Sequence, residues 1–126
     1  MKLLLDTHAL IWVLNGSDKL STRADDALGD FENEVWVSAV SGYEIEFKRS
    51  RSAELAALPA DIEDAARETG FNWLAVEARH AVSAGRLPIL HRDPFDRILV
   101  AQALGENATL VTCDPWIAPY GVPTLW

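Results

Sequence analysis

Short apolar segments alternate with segments of helical periodicity along the whole chain. Strands are predicted at residues 2–6, 34–38, 71–76, 109–112 and 122–126. Helices are predicted at residues 8–15, 17–30, 40–49, 59–69, 77–84 and 93–104. Because strands that alternate with helices are typical of a parallel sheet covered on both faces, the sequence predicts an α/β fold. Pro123 lacks an amide hydrogen, so the last strand is expected at an edge of the sheet.

Length and composition fit a single globular domain over residues 1–126. Hydrophobic residues make up 49% of the chain and charged residues 24%, which argues against disorder. The single cysteine, Cys113, cannot form an internal disulfide and is expected to be a small buried residue. No apolar stretch reaches the roughly 18 residues that span a bilayer, and Asp6 and His8 interrupt the apolar start. We therefore expect a cytoplasmic protein with no membrane association.

The charge balance limits the ways in which this chain could bind nucleic acid. It carries 11 basic and 19 acidic residues, for a net charge of -8. A protein that holds nucleic acid by overall charge is basic, because it must neutralise phosphates. A nucleic-acid function here therefore requires a local basic patch, a metal ion or a partner.

Four acidic residues occupy positions that the predicted topology brings together. Asp6 ends the first strand and Asp114 follows the fourth, while Glu44 and Asp96 lie in early turns of two helices. Ligands of an open parallel sheet bind beyond the carboxyl ends of its strands. Carboxylates gathered there repel one another unless a divalent cation binds, and Mg²⁺ or Mn²⁺ prefers such oxygen ligands. The pattern favours metal-assisted phosphodiester hydrolysis, and the absence of a His or Cys ligand set argues against structural zinc.

Four segments carry a resemblance to a known family. They are LLLDTHALIW, VSAVSGYEI, HRDPFDRILVAQA and LVTCDPWIAPYGV. In this order and spacing the chain resembles the PIN-domain ribonucleases, specifically the VapC-like toxins of bacterial toxin–antitoxin pairs. The resemblance implies a three-layer α/β/α fold with a central, mostly parallel sheet of four to five strands. It also implies an Mg²⁺- or Mn²⁺-dependent endoribonuclease that acts on an RNA substrate, forms a homodimer and is blocked by a cognate antitoxin.

The resemblance also assigns site residues. The metal-binding and catalytic acids of the family match Asp6, Glu44, Asp96 and Asp114. Asp93 matches a further acid of one subgroup, although the following Pro94 makes helix capping an equal alternative. Thr112 matches a small hydroxyl residue that contacts the site or its water.

Several other residues have two interpretations. His8 contacts substrate or packs against its own helix, and Arg97 holds substrate or has a structural role. The cations expected to hold RNA are Lys48, Arg49, Arg51, Arg92 and Arg97. The alternative is a solvated face for the first three and an ion pair with a site carboxylate for Arg97. His91 is close enough in sequence to Asp93 to approach the pocket, whereas His80 is expected on a helix surface. No histidine is assigned as the general base, because a metal ion can activate water without one.

Other functional classes fit less well. A receiver-type signalling module needs an Asp after the third strand and a Lys after the fifth, and the sequence has neither. A dinucleotide-binding domain needs a G-x-G-x-x-G motif after the first strand, which is also missing. The alternative that remains is a non-catalytic PIN-like module that binds RNA or protein.

Overall fold

A computed structural model describes residues 1–126, and five parallel strands form its central sheet. The strands are β1 (Lys2–Leu5), β2 (Glu34–Ser38), β3 (Asn72–Leu74), β4 (Thr109–Val111) and β5 (Thr124–Leu125). Their order across the sheet is β3-β2-β1-β4-β5, with β1 at the centre. Leu3 aligns with Val35 on one side and with Thr109 on the other. Because the chain leaves β1 toward β2 and later returns beside β1 as β4, a crevice opens beyond the carboxyl ends of β1 and β4.

Seven helices flank the sheet. They are α1 (Thr7–Asn15), α2 (Thr22–Gly29), α3 (Ala39–Lys48), α4 (Ala53–Ala56), α5 (Ile62–Glu68), α6 (Ala78–Arg86) and α7 (Pro94–Gly105). Side chains at the amino ends satisfy amide hydrogens of the first turn, which is why these helices begin where they do. Asp6, Ser38 and Asp93 supply such caps for α1, α3 and α7, and all three sit beyond the carboxyl ends of strands or beside them. None of these helices is long and apolar enough to cross a membrane.

The two faces of the sheet bury separate apolar clusters. Leu3 and Leu5 point to one face, where they pack with side chains of α1, α2 and α5. Leu4 points to the other face and packs with Leu99 and Val100 of α7. All three leucines of β1 are fully buried, as expected for the central strand of a sheet covered on both sides. The three-layer α/β/α arrangement predicted from the sequence is therefore confirmed, and the sheet is parallel throughout.

Some predicted boundaries are wrong for identifiable reasons. The third strand ends at Leu74 rather than at residue 76, because its partner β2 ends at Ser38, which aligns with Leu74. The Ala75 carbonyl instead accepts a hydrogen bond from the Gln102 side chain. Gly85 lies inside α6, which continues to Arg86. That helix ends where Leu87 turns extended ahead of Pro88, a residue that disfavours helical backbone before it.

One polar cluster lies at the amino end of the sheet, and we call it the amino-edge cluster: Lys2, Arg79, His80 and Glu106. The Glu106 carboxylate accepts hydrogen bonds from Arg79, from Lys2 at 3.4 Å and from His80 Nε2 at 3.0 Å. These hydrogen bonds, that of Arg79 first, lower the pKa of Glu106 to about 2. The prediction that His80 lies on a helix surface is wrong, since its side chain is 1% exposed. The ring is buried because Nδ1 accepts from the Glu77 amide while Nε2 meets Glu106.

Candidate active site

Asp6 lies directly after β1, at the start of the crevice. Its Oδ1 accepts a hydrogen bond from the Ala9 amide at 2.8 Å, so the same carboxylate caps α1 and faces the site. Asp6 is 4% exposed. Burial raises the pKa of Asp6, while interactions with Thr112 and the Ala9 amide oppose that rise. The position is therefore one where a negative charge is unfavourable without a bound cation.

Glu44 enters the site from the middle of α3, its sixth residue. Ser38 at the end of β2 caps this helix, so the sheet itself fixes the direction in which α3 leaves. Glu44 is buried, and its Oε2 accepts a hydrogen bond from Lys48 Nζ at 2.7 Å. This hydrogen bond raises the pKa of Lys48. Glu44 thus reaches the crevice with one cation already beside it.

The first turn of α7 supplies Asp93 and Asp96. Asp93 Oδ1 accepts hydrogen bonds from the amides of Phe95 at 2.9 Å and Asp96 at 3.2 Å, so the capping role predicted for Asp93 is present. Burial raises the pKa of Asp96 to about 6, and the negative charges of Asp93, Asp6 and Glu44 add to the rise. The Asp96 carboxylate therefore lies close enough to those of Asp6 and Glu44 to be repelled by both, although the three residues come from different parts of the chain.

Asp114 follows β4 and completes the set. The Asp114 amide donates to Thr112 Oγ1 at 3.0 Å, and the Asp114 carboxylate caps the next turn by accepting from the Trp116 amide at 2.9 Å. Thr112 is buried and also interacts with the Asp6 carboxylate. It therefore connects the first and last acids. We call Asp6, Glu44, Asp96 and Asp114 the carboxyl-edge cluster.

His91 is the site residue that sequence reasoning left without a role. Its Nε2 lies 3.0 Å from Asp96 Oδ2 and 3.2 Å from Asp114 Oδ2. Ligand atoms of these three residues all fall within 4.8 Å of one another. The proximity of His91 to Asp93 in sequence is the only signal that could have indicated this position.

Arg97 does not face the acids. Its guanidinium instead holds the loop that presents His91. It donates to the Tyr120 hydroxyl and to the carbonyls of Ala84, Leu87, Pro88 and His91. The contacts of Arg97 therefore fit its structural interpretation, because they hold the loop and none of them involves the acids. Tyr120 reinforces the same loop by accepting from the His91 amide at 2.7 Å.

The other cations fall into two groups. Arg49 donates to Glu46 and to the carbonyls of Leu55, Leu58 and Pro59, which fixes the chain after α3. Lys48 and Arg51 instead line a cavity of about 340 Å³ beside Glu44, and the neighbouring His8 side chain lines it as well. His8 also packs against Trp12, with ring centroids 5.6 Å apart, so both interpretations of His8 fit its position.

Cys113, next to Asp114, is exposed, so the expectation of a buried residue is wrong. β4 ends at Val111, which leaves Cys113 in the loop that turns away from the sheet.

The donor set fits a hard divalent cation. Oxygen atoms dominate it. Burial raises the pKa of Asp96, the neighbouring acids Asp93, Asp6 and Glu44 raise it further, and His91 opposes the rise. Mg²⁺ and Mn²⁺ bind carboxylate oxygens and retain water ligands, so they suit a crevice open to solvent. A zinc site would need more nitrogen or sulfur ligands than His91 alone provides.

Comparison with known proteins gives the same picture of the fold. The PIN domain family model matches residues 3–118. No curated protein sequence matches the chain at a significant level.

Several solved toxin–antitoxin structures have similar folds. VapBC2 from Rickettsia felis, bound to a DNA fragment from their promoter, has a TM-score of 0.73 at 17% identity, over 99% of this chain and 98% of that chain. FitAcB from Neisseria gonorrhoeae has a TM-score of 0.72 at 17% identity, over 98% and 96%. DNA-bound VapBC from Salmonella typhimurium has a TM-score of 0.68 at 15% identity, over 99% and 97%. At this level of identity the similarity concerns the fold.

Proposed function

Because this chain belongs to the PIN-domain family, we propose that it is a divalent-metal-dependent endoribonuclease and the toxin of a type II toxin–antitoxin pair. The observation that supports the proposal is that ligand atoms of His91, Asp96 and Asp114 lie within 4.8 Å of one another beyond the strand ends, with Asp6 and Glu44 close enough to Asp96 to contribute to its raised pKa. Such a cluster destabilises the folded chain unless it binds a cation. That cost is expected of a functional site rather than of a packed core.

The residues proposed to hold Mg²⁺ or Mn²⁺ are those of the carboxyl-edge cluster. When bound, the ion would polarise the scissile phosphate and make an attacking water more acidic. The protein's part is orientation: the Ala9 amide and Thr112 fix Asp6, and the Asp93 cap fixes the first turn of α7 on which Asp96 stands. Asp93 serves this proposal as a positioning residue, with its Oδ1 already occupied by two amides.

Local cations would receive the RNA backbone beside these acids. The chain has a net charge of -8, so long-range attraction cannot gather RNA. Lys48 and Arg51 line the cavity next to Glu44 and are the cations best placed for phosphate contact. Arg49 and Arg97 have their donors committed to backbone carbonyls and are not assigned a substrate role.

Cleavage of single-stranded RNA tests the enzymatic part of the proposal. We expect cleavage in Mg²⁺ or Mn²⁺ that stops with EDTA, and a loss of at least about a hundredfold in Glu44→Gln. Glu46→Gln is the matched control, because Glu46 lies two residues away on the same helix, is exposed and pairs with Arg49. Equal cleavage by Glu44→Gln and wild type would contradict the assignment, and a wild type that binds RNA without cutting it would favour the non-catalytic module.

A cognate antitoxin is the proposed partner, by analogy with the VapBC and FitAcB complexes that share the fold. Basic side chains of the antitoxin would complete the carboxyl-edge cluster in place of a metal ion. We further propose that the toxin is a cytoplasmic homodimer. Expression of the chain in bacteria should arrest growth unless a small adjacent gene is co-expressed, whereas Asp6→Asn should be harmless. Growth that continues with soluble wild-type protein would count against the toxin role.

A further inference from the structure

An exposed aromatic surface borders the carboxyl-edge cluster, and we propose that it is a base-stacking subsite for single-stranded RNA. We call it the aromatic platform: Tyr43, Phe47, Phe95 and the Arg51 guanidinium. In this inference the platform stacks a nucleobase next to the phosphate that is cut, while Arg51 and Lys48 contact the flanking phosphates. The inference rests on the proposed function, because it assigns a substrate contact to the same site.

The rings already form a stack at the protein surface. Tyr43 and Phe47 lie one turn apart on α3, with ring centroids 5.8 Å apart and planes inclined by 14°. Their exposed fractions are 59% and 52%, which is unusual for large aromatic side chains. Phe95 approaches Tyr43 from α7 at 5.9 Å and joins the two helices. A flat base can extend such a stack regardless of its sequence, because every base has a π face.

Cations accompany the rings. The Arg51 guanidinium lies over the Phe47 ring at 5.0 Å, and Lys48 Nζ lies 5.6 Å from the centroid of Phe95. Arg51 is exposed and has no carboxylate partner, unlike Arg49, Arg67 and Arg79. A planar guanidinium beside an aromatic ring suits a ligand that alternates aromatic faces with negative charge, as a polynucleotide does.

The platform continues directly into the acids. Tyr43 immediately precedes Glu44, and Phe95 immediately precedes Asp96, so each ring shares its backbone with a residue of the carboxyl-edge cluster. Arg51 also lines the 340 Å³ cavity beside Glu44. This adjacency favours RNA over a second copy of the chain. A second copy of the chain would bring acidic groups, given its net charge of -8, toward a face that already holds the site's acids.

The test measures the affinity of a fluorescent single-stranded RNA oligonucleotide in Mg²⁺, with all proteins carrying Asp96→Asn so that the probe stays intact. Phe47→Leu keeps apolar area but removes the π face, and we expect its Kd to rise about fivefold or more. Phe47→Trp should stay within about twofold of the parent, because it restores a ring for stacking. Arg51→Gln should weaken binding by a similar factor and reduce its salt dependence.

The matched control is Phe31→Leu, which alters a fully exposed phenylalanine remote from the acids and should leave Kd unchanged. Unchanged affinity in Phe47→Leu overturns the inference, and so does a parent protein that binds no RNA. The inference is also overturned if Phe47→Leu has a lower molar mass than its parent by light scattering while its RNA affinity is unchanged. The aromatic platform would then be an interface between copies of the chain. Cleavage by wild type with unaltered binding in Phe47→Leu leaves the proposed function standing and removes only the platform.

Discussion

The two edges of the sheet handle negative charge in opposite ways. At the amino edge, one carboxylate, Glu106, is surrounded by Arg79, Lys2 and His80, and its pKa falls to about 2. At the carboxyl edge, the four acids come from the ends of β1 and β4 and from α3 and α7. Burial, followed by the charges of neighbouring acids, raises the pKa of Asp96 to about 6. A charge that is fully paired stabilises the fold. Acidic groups that repel one another are stabilised when they bind a cation. Such a group of acids therefore indicates a functional site.

The largest expected difference between the edges concerns activity. Asp96→Asn should reduce RNA cleavage by at least about a hundredfold, because it removes a proposed ligand of the catalytic ion. Glu106→Gln should leave the specific activity of the folded protein unchanged, since Glu106 lies at the opposite end of the sheet. Initial cleavage rates of the two variants are measured at matched concentrations of folded protein. An equally large loss of activity in Glu106→Gln would show that the two edges do not differ in function.

The next difference concerns the free energy of unfolding. Glu106→Gln should destabilise the chain by about 1–2 kcal/mol, because a paired carboxylate is lost while solvent screens part of the interaction. Glu32→Gln, at an exposed glutamate without an ion pair, serves as the control and should be neutral. Urea denaturation measures both. A neutral Glu106→Gln would mean that the amino-edge cluster does not contribute to stability.

The carboxyl edge should show the reverse sign. In EDTA, Asp96→Asn is expected to stabilise the chain at pH 7 by about 1–2 kcal/mol, because it removes a charge that burial and neighbouring acids disfavour. Urea denaturation of both proteins is measured in EDTA and again in excess Mg²⁺. The extra stability of Asp96→Asn should shrink or reverse in Mg²⁺, because the metal stabilises wild type. A destabilised Asp96→Asn in EDTA would show that this acid is adequately paired without metal.

The smallest effect is the pH dependence of stability, whose sign differs between the edges. Glu106 has a folded pKa of about 2 against an ordinary value of 4.5, so its stabilisation is complete above pH 4.5 and is lost as the pH falls toward 2. Asp96 has a folded pKa of about 6 against 3.8, so its destabilisation grows as the pH rises from 3.8 to 6. The difference in unfolding free energy between wild type and variant, plotted against pH, should therefore slope in opposite directions for Glu106→Gln and Asp96→Asn. Curves with the same slope would show that the two edges respond alike to pH.

Sequence patterns predicted the sheet, both covering layers and the position of four acids, because strand alternation and strand ends are local features. The contacts between remote elements were not predictable in the same way. His80 was expected on a helix surface, yet it is buried against Glu106. Arg97 was expected to contact substrate or to pair with a site carboxylate, yet backbone carbonyls surround its guanidinium. The partners of these two side chains lie in other elements, such as the end of α6 and the loop after it. The hydrophobic periodicity of one segment cannot predict contacts with another. His91 joins Asp96 and Asp114 for the same reason: only the folded loop brings it there.

The carboxyl-edge cluster should bind a divalent cation. Calorimetric titration of Mn²⁺ into the metal-free protein at pH 7 measures this binding. Wild type and Glu106→Gln should show the same saturable binding, whereas Asp6→Asn and Asp96→Asn should bind at least about tenfold more weakly. Binding that survives both substitutions, or no binding by folded wild type, would contradict the account.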